Sequence, residues 1–393
     1  MTSTFFPPFH LGGDATHVAM LAAELHKRGH EVIVIHDVDA YTLKRGKVPP
    51  KINETMDGPM TIPIRSSIGR ASPIITYLTG NNRLAEKAFE EAVRTHRPDF
   101  VHHHNISLLG KNILKKGNLP SLYTAHDYWL ICPRNDLMYR GKESCQERRC
   151  MYCTLSTMRP PQIWRNRGWQ RTISDMETII SPSNFLKDRL KYFLGKESTV
   201  LPNFTPRVKK SPTLKERQDY FVFIGVLEKH KGVELILDAY LKRRIKTKLM
   251  VVGKGRLEGA VKKVAGLMPE MVEYCGYLPE QEKIDLLSGA KALLAPSIWN
   301  ENSPLTCIEA LSMGVPLIVT NNGGLPELVS TEKCGLIAEA SSEGLESSIL
   351  ALEKDEPQRS ILSRNAFTRY ENYHTPELYC QKYLDLVKVI LSA

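Results

Sequence analysis

The chain has 393 residues, of which 42% are hydrophobic and 24% charged, the make-up of an ordinary soluble globular protein too long for a single core. No apolar run reaches the ~18 residues of a membrane span, and the opening MTSTFFPPFHLGG lacks the basic and apolar regions of a secretion signal, so a cytoplasmic protein is expected. The net charge of +10 is concentrated in residues 1–205, where 28 Lys+Arg face 19 Asp+Glu, against 25 and 24 in the remainder, so the first half would draw an anionic surface or substrate.

The first helical pattern covers 15–28, where Val18, Leu21, Ala22 and Leu25 share a face and Gly29 stops the run. Strand patterns follow at 31–35 (EVIVI), 99–103 (DFVHH), 121–125 and 177–181 (ETIIS). The stretch 201–218, rich in proline and charge, interrupts the alternation once and reads as an interdomain linker. Beyond it come strands at 220–225, 248–252, 291–295 and 315–320, and a last segment, 375–391, with Leu378, Tyr379, Tyr383, Leu386, Val387 and Ile390 at helical spacing. Short strands alternating with amphipathic helices imply parallel sheets covered on both faces. The expected class is therefore α/β. Two Rossmann-like doubly wound domains, 1–205 and 206–374, would face a cleft, with a C-terminal helix, 375–393, packing back on the first.

Two acids stand out in NENSPLTCIEALSMG, residues 300–314. Glu309 lies among small and apolar neighbours, where a carboxylate is costly unless something pairs with it. Ser303 and Pro304 read as a helix start and Gly314 as its stop. Following the strand KALLAPS, that start sits at the carboxyl edge of a sheet, where ligands collect in doubly wound folds. Free N–H groups and the helix dipole suit a phosphate there. Glu301 before the helix and Glu309 inside it, separated by roughly 8 Å of helical rise, would each accept hydroxyl hydrogen bonds on either side of a bound diphosphate. A nucleoside-diphosphate sugar has that layout; a solvated surface glutamate is the plainer alternative.

Residues 295–329, APSIWNENSPLTCIEALSMGVPLIVTNNGGLPELV, resemble the donor-site signature of the family 4 retaining glycosyltransferases, whose fold is called GT-B. HLGGDATHVAMLAAELHKRGHEV (10–32), FIGVLEKHKGVELILDAY (223–240), VVGKGRL and CGYLPEQEKIDLLSGAKALLAPS are similar to further family blocks in the family's order, so the resemblance spans nearly the whole chain. It implies catalytic roles for Glu301 at the donor sugar, His126 (in YTAHDYW) at the cleft and Lys231 (in KHKG) at the departing diphosphate. Glu309 would hold the ribose. Ser303, Pro304, Leu305 and Thr306 would bind sugar and diphosphate, Gly276 and Tyr277 would read the base, and Gly225 and Lys229 would complete the donor site. Gly12, Gly13 and His17 would form the first loop, near diphosphate or acceptor.

Two departures qualify the resemblance. Val226 stands where the family usually has an arginine, which removes a bidentate phosphate ligand; Lys229, Lys254 and Arg256 are the candidate substitutes. The strand expected before the first glycine loop is reduced to STFF, so the first sheet is expected to lack or shorten a core strand.

Other clusters carry weaker signals. VHHHN (101–105) sends His102 and His104 to one face and His103 to the other, which disfavours a three-histidine metal site and favours lining of an acceptor cleft. Cys132, Cys145, Cys150 and Cys153 fall close together in an insertion near 132–153, and a structural zinc is expected there against the alternative of four reduced thiols. Cys275, Cys307, Cys334 and Cys380 read as buried small residues. MRPPQIWRNRGWQR (158–171) mixes Arg159, Arg165, Arg167 and Arg171 with Ile163, Trp164 and Trp169, a composition suited to an anionic bilayer or a lipid-linked acceptor; an ordinary basic loop is the alternative. The paired glycines of VVGKGRLEGA are as well explained by a tight turn as by a ligand.

The expected activity is retaining transfer of a sugar from a nucleotide donor to a saccharide or lipid-linked saccharide, in surface polysaccharide or glycolipid synthesis. No cofactor is required for it. The protein would be cytoplasmic, with peripheral contact to an anionic membrane. A catalytically silent nucleotide-sugar binder is the alternative. A glycosidase would leave the helix-tip anion site unused, and no aromatic-rich sheet motif supports a nucleic-acid partner.

Overall fold

A computed structural model describes residues 1–46, 58–115, 119–174, 176–208 and 218–392; half of the expected linker, 209–217, and the side chain of Arg167 lie outside the described residues. The chain divides into two compact units, Met1–Pro202 with Tyr379–Ala393, and Asn203–Leu378. The division thus falls at Pro202 rather than at 205. The returning segment begins at Tyr379, inside the helix Pro376–Ser392, rather than at 375.

In unit 1 the parallel strands β1 (Ile33–Asp37) and β2 (Met60–Ile64) pair with each other. Strands β3 (Val101–His103) and β4 (Ser121–Thr124) form a four-stranded parallel ladder with β7 (Thr178–Ser181) and β8 (Thr199–Val200), in the order β3-β4-β7-β8. The missing core strand is indeed reduced. Thr2 makes isolated parallel bridges to Ile35 on one side and His103 on the other. Backbone bonds from Ser3 N to Ile35 O (3.0 Å), Asp37 N to Thr4 O (3.1 Å) and His104 N to Thr2 O (3.0 Å) stitch residues 1–4 between β1 and β3. A two-residue antiparallel hairpin, β5 (Met138–Tyr139) with β6 (Glu143–Ser144), lies in the insertion.

The helix Gly12–Lys27 buries Ala15, Val18, Leu21, Ala22 and Leu25, the face its spacing predicts. The main core of unit 1 gathers Phe89, Ile106, Tyr123, Trp129, Trp164 and Trp169. This corrects the reading of the basic stretch: Trp164 and Trp169 are core residues, 8% and 4% exposed, because Trp169 packs edge-on against both Trp164 and Trp129 while Trp164 meets Trp129 at a tilt.

Unit 2 is a six-stranded parallel sheet. Its strands are β9 (Tyr220–Ile224), β10 (Lys248–Val252), β11 (Val272–Gly276), β12 (Ala292–Ala295), β13 (Leu317–Thr320) and β14 (Gly335–Ala338), ordered β11-β10-β9-β12-β13-β14. The order runs outward in both directions from β9 and β12, so the reversal lies between them, and the loops leaving these two strands flank the crevice where doubly wound sheets bind ligands. Apolar side chains fill both faces: Phe221, Val251, Leu294 and Ile318 on one, Val222, Leu293, Leu317 and Val319 on the other.

Candidate functional site

The loop after β12 carries Glu301, and several close contacts fix it. Gly323 has φ +65°, and a Cβ there would collide with the backbone of Glu301, whose carbonyl takes the N–H of Gly324 at 2.6 Å. The Ser297 carbonyl accepts from Thr320 Oγ1 (2.5 Å) and Asn322 Nδ2 (2.9 Å), and the Ser303 carbonyl from Asn203 Nδ2 (3.0 Å). From the β9 side, the short 3-10 turn Lys229–Lys231 docks on the same loop through Ile298 N to His230 O (2.9 Å). Gly232, at φ +72°, lies so close to Pro296 that a Cβ would strike its carbonyl oxygen. Only glycine permits this approach.

The docking delivers Lys231 to Glu301. Glu301 is 8% exposed, and its Oε1 accepts from Lys231 Nζ (2.5 Å), Ser297 Oγ (2.7 Å) and Trp299 Nε1 (2.6 Å). Burial alone would raise this carboxyl, but the Lys231 ammonium and the hydrogen bonds outweigh it and hold it below the usual glutamate range. Three donors converge on one oxygen. The indole of Trp299 also lies under Lys231, 5.4 Å from Nζ to ring centroid.

Helix Leu305–Ser312 begins one residue later than 304, with Pro304 as its cap residue and no side chain capping it. The expected Ser303 cap is therefore not made: Ser303 Oγ is buried without a hydrogen-bond partner, beside the first-turn N–H groups of Leu305 and Thr306. Glu309, one turn on, is half-buried and bonded through Oε2 to Lys283 Nζ at 3.0 Å. Burial raises its carboxyl and Lys283 only partly offsets this. Sequence reasoning missed Lys283, since nothing in the spacing of helix Glu280–Ser288 links it to residue 309.

The remaining donor-site candidates cluster at the same sheet edge. Gly225 N bonds to Val252 O, Leu227 N to Lys254 O and Gly253 N to Gly276 O, lacing the ends of β9, β10 and β11 together. The VVGKG turn thus has a structural task. Tyr277, beside Gly276, is 73% exposed, and Val226 is 51% exposed. Of the candidate substitutes for arginine at 226, Arg256 is drawn towards Glu228 (3.8 Å).

In unit 1, Gly12 and Gly13 form the first turn of the helix Gly12–Lys27 rather than a loop, with Gly12 at φ +81° and no side-chain cap. His17, one turn inside, is fully buried with Nε2 3.1 Å from Tyr379 Oη. Its ring lies 5.0 Å from that of His126, whose Nε2 meets His104 Nδ1 at 3.0 Å. His102 contacts Tyr383 Oη (3.0 Å) and Thr124 Oγ1 (2.7 Å) and lies tilted against His104, ring centroids 3.8 Å apart, whereas His103 turns to Thr2 Oγ1 (2.8 Å). Four imidazoles thus gather where β3 and β4 end. Burial lowers all of them, His126 to about 4 and the other three well below the usual value, so they are neutral at pH 7. Two neighbouring acids went unnoticed in the sequence. Burial raises Asp14, which accepts from Asn105 Nδ2 at 2.7 Å, and raises Asp127 to about 7.

The four clustered cysteines do not assemble the expected zinc site: among the described residues no group of three or more His, Cys, Asp or Glu is arranged to hold a metal. Cys132 packs into the core, Cys145 Sγ turns to the Glu147 carbonyl (3.1 Å) and Cys153 Sγ takes the Arg140 N–H (3.2 Å). Hairpin β5–β6 and helix Cys150–Ser156 order the segment instead. Cys307, Cys334 and Cys380 are buried as expected, Cys275 only partly. No helix among the described residues is long and apolar enough to cross a membrane.

Comparison with known proteins fits this geometry. The family model described as Glycosyltransferase Family 4 matches residues 11–206, and that described as Glycosyl transferases group 1 matches residues 204–369. The alpha-monoglucosyldiacylglycerol synthase of Streptococcus pneumoniae is 23% identical over 364 residues, covering 86% of this chain and 74% of that one. Among solved structures, sucrose-phosphate synthase from Thermosynechococcus elongatus superposes with a TM-score of 0.74 at 18% identity, over 97% of this chain and 94% of that one. Anabaena HepE in complex with UDP-glucose gives 0.69 at 15% identity, over 99% and 100%. Two doubly wound units, their sheet-edge site and family models that together run from residue 11 to 369 lead to one conclusion: the chain belongs to the group 1, family 4 glycosyltransferases of GT-B fold.

Proposed function

We propose that the protein transfers a sugar from a nucleoside-diphosphate sugar, with retention at the anomeric carbon, to a hydroxyl of a saccharide or lipid-linked saccharide during synthesis of surface polysaccharide or glycolipid. The observation that carries this reading is the buried Glu301 carboxylate, paired with Lys231 beside an uncapped helix start. In this reading the Leu305 and Thr306 amides, the Ser303 hydroxyl and Lys231 receive the diphosphate as negative charge develops on it. Glu301 accepts a donor-sugar hydroxyl through Oε2, and Glu309 exchanges part of its contact with Lys283 for the ribose diol. Positive charge comes from Lys231 and the helix, so no metal is required. The UDP-glucose bound by HepE supports the donor class, and the glycolipid that the streptococcal synthase is named for making supports a place in glycolipid synthesis.

The test is a melting-temperature panel of nucleoside diphosphates and their sugars, followed by NMR of the product's anomeric configuration. Stabilisation by one base series and a product of unchanged configuration are expected. Inversion would reject the retaining reading, and absence of any stabilisation would reject the donor site. Exposed Val226 favours one rival, a silent donor binder. Donor hydrolysis that disappears in Glu301→Gln excludes it.

A further inference from the structure

Unit 1 holds a cavity of about 310 Å³ in the insertion region, and none of the clustered histidines lines it. Leu130, Ile131, Met151, Ile163 and Leu194 give it apolar walls; Arg148 and Arg165 also line it, and no acidic residue does. Arg165 is unusual. Its guanidinium carbon lies 5.1, 4.8 and 5.4 Å from the ring centroids of Trp129, Trp164 and Trp169. Nε donates to Gln162 Oε1 and Nη1 reaches the Leu130 carbonyl at 3.5 Å, but Nη2 is sealed from solvent without an acceptor. Among the described residues no carboxylate lies within ion-pair distance of Arg165.

A guanidinium taken out of water costs several kcal/mol unless an anion and hydrogen-bond acceptors compensate it. Three indole faces supply part of that through cation–π attraction, but a ring face does not replace an oxygen acceptor. Burial lowers Arg165 to about 10, which still leaves it charged at neutral pH. What this environment lacks is an anion.

The mouth of the cavity says what the anion would be attached to. Ile163 is 73% exposed and Met151 about half, and Tyr152, Leu155 and Met158 continue the exposed apolar surface along and beyond the helix Cys150–Ser156. Contiguous exposed apolar side chains flanked by arginines suit an amphiphile better than a free ion.

We propose that this cavity binds the phosphate end of a lipid, an acyl or isoprenoid phosphate, with the phosphate on Arg165 and Arg148 and the chain leaving across Leu194, Met151 and Ile163. The lining shares no residue with the donor site. The cavity would hold a lipid-borne acceptor or the membrane itself against unit 1.

Two signals report on occupancy in the full-length chain. Three of its four tryptophans surround Arg165, so intrinsic fluorescence follows the site. Cys150, which lines the cavity, can be followed by mass-mapped alkylation with N-ethylmaleimide. Octyl phosphate is expected to saturate the fluorescence change at concentrations at least tenfold below octanol or inorganic phosphate, and to slow Cys150 alkylation at least fivefold. Arg165→Gln should weaken binding tenfold or more. Because that change also disturbs the tryptophan cluster, the exposed double variant Met151→Asp/Ile163→Asp provides a second arm, with an unchanged melting temperature and a similar loss of affinity.

Octanol binding as tightly as octyl phosphate, unprotected Cys150, or wild-type affinity in the double variant would each overturn the proposal. Farnesyl phosphate and dihexanoyl phosphatidate then separate the two sources: tighter binding of the first identifies an isoprenoid carrier, of the second a bilayer lipid, and failure of both rejects the site. Donor binding, read by melting with nucleoside diphosphates, is scored independently.

Discussion

An indole, a hydroxyl and an ammonium keep Glu301 ionised, and each can be removed separately. Trp299→Phe keeps an aromatic ring but deletes the pyrrole portion and with it the N–H that reaches Oε1 at 2.6 Å. A hydrogen bond to a charged group is worth about 1.5–3 kcal/mol, so the carboxyl should rise and the acid limb of the pH–rate profile should move upward by roughly one to two pH units. A profile that does not move would remove Trp299 from the positioning of Glu301. Lys283→Met leaves Glu309 half-buried without its cation. Burial already raises that carboxyl, so it would protonate at still higher pH. The donor KM should rise about tenfold near pH 6 and less at pH 8, with kcat changed little. The two glutamates were legible in the sequence because acids in apolar company need a partner. The partners were not: Ser297 and Trp299 share the loop of Glu301 without a spacing that announces the contact, and Lys231 reaches it only when the separate loop after β9 folds onto that one.

At the scale of elements, the central strands were readable and the edges were not. β9, β10, β12 and β13 are continuous apolar runs, as strands buried on both faces must be. β2, β11 and β14 each lie at a sheet edge, are only partly buried and include Pro63, Glu273 or Gly335, so no apolar pattern announced them. The Leu305–Ser312 helix was legible from its Pro304 start, whereas its missing side-chain cap could be seen only in three dimensions. Loop docking supplies a prediction at this level. Gly232→Ala places a Cβ against the Pro296 carbonyl at a positive φ. It should cost about 1–3 kcal/mol of stability, seen as a lower melting temperature of unit 2. Lys231 should be displaced as well, so that activity falls more than stability does.

Across the whole molecule the same architecture occurs twice. With residues 1–4 counted as the strand between β1 and β3, the first sheet also runs outward from a central reversal, and its histidines gather beside that reversal as Glu301 and Lys231 do in the second. Alternating strands and helices made this doubling readable. The imidazole cluster was half readable, because His102, His103 and His104 are adjacent in sequence while His17 and His126 join only through the fold. The cluster sets the acid limit of unit 1. In the unfolded chain these histidines take up protons near pH 6.5, whereas His17, His102, His104 and His126 in the folded unit do not. Stability is therefore intact above pH 6.5 and falls as the pH drops towards about 4, by about 1.4 kcal/mol per pH unit for each imidazole, less the opposing contribution of one proton that the raised Asp127 carboxyl takes up in the folded unit over the same range. Near-UV circular dichroism should show tertiary structure lost between pH 6 and 5; a signal unchanged at pH 4.5 would contradict the neutral cluster.

The crowding of donors on Glu301 Oε1 has a stereochemical consequence. A carboxylate pinned by three bonds cannot swivel, so under the proposed donor pose its other oxygen would be a fixed gauge against which an incoming ring is measured. Two donors differing only in the axial or equatorial setting of one hydroxyl should be told apart at that point, and loosening the pin with Trp299→Phe should narrow the gap between epimers.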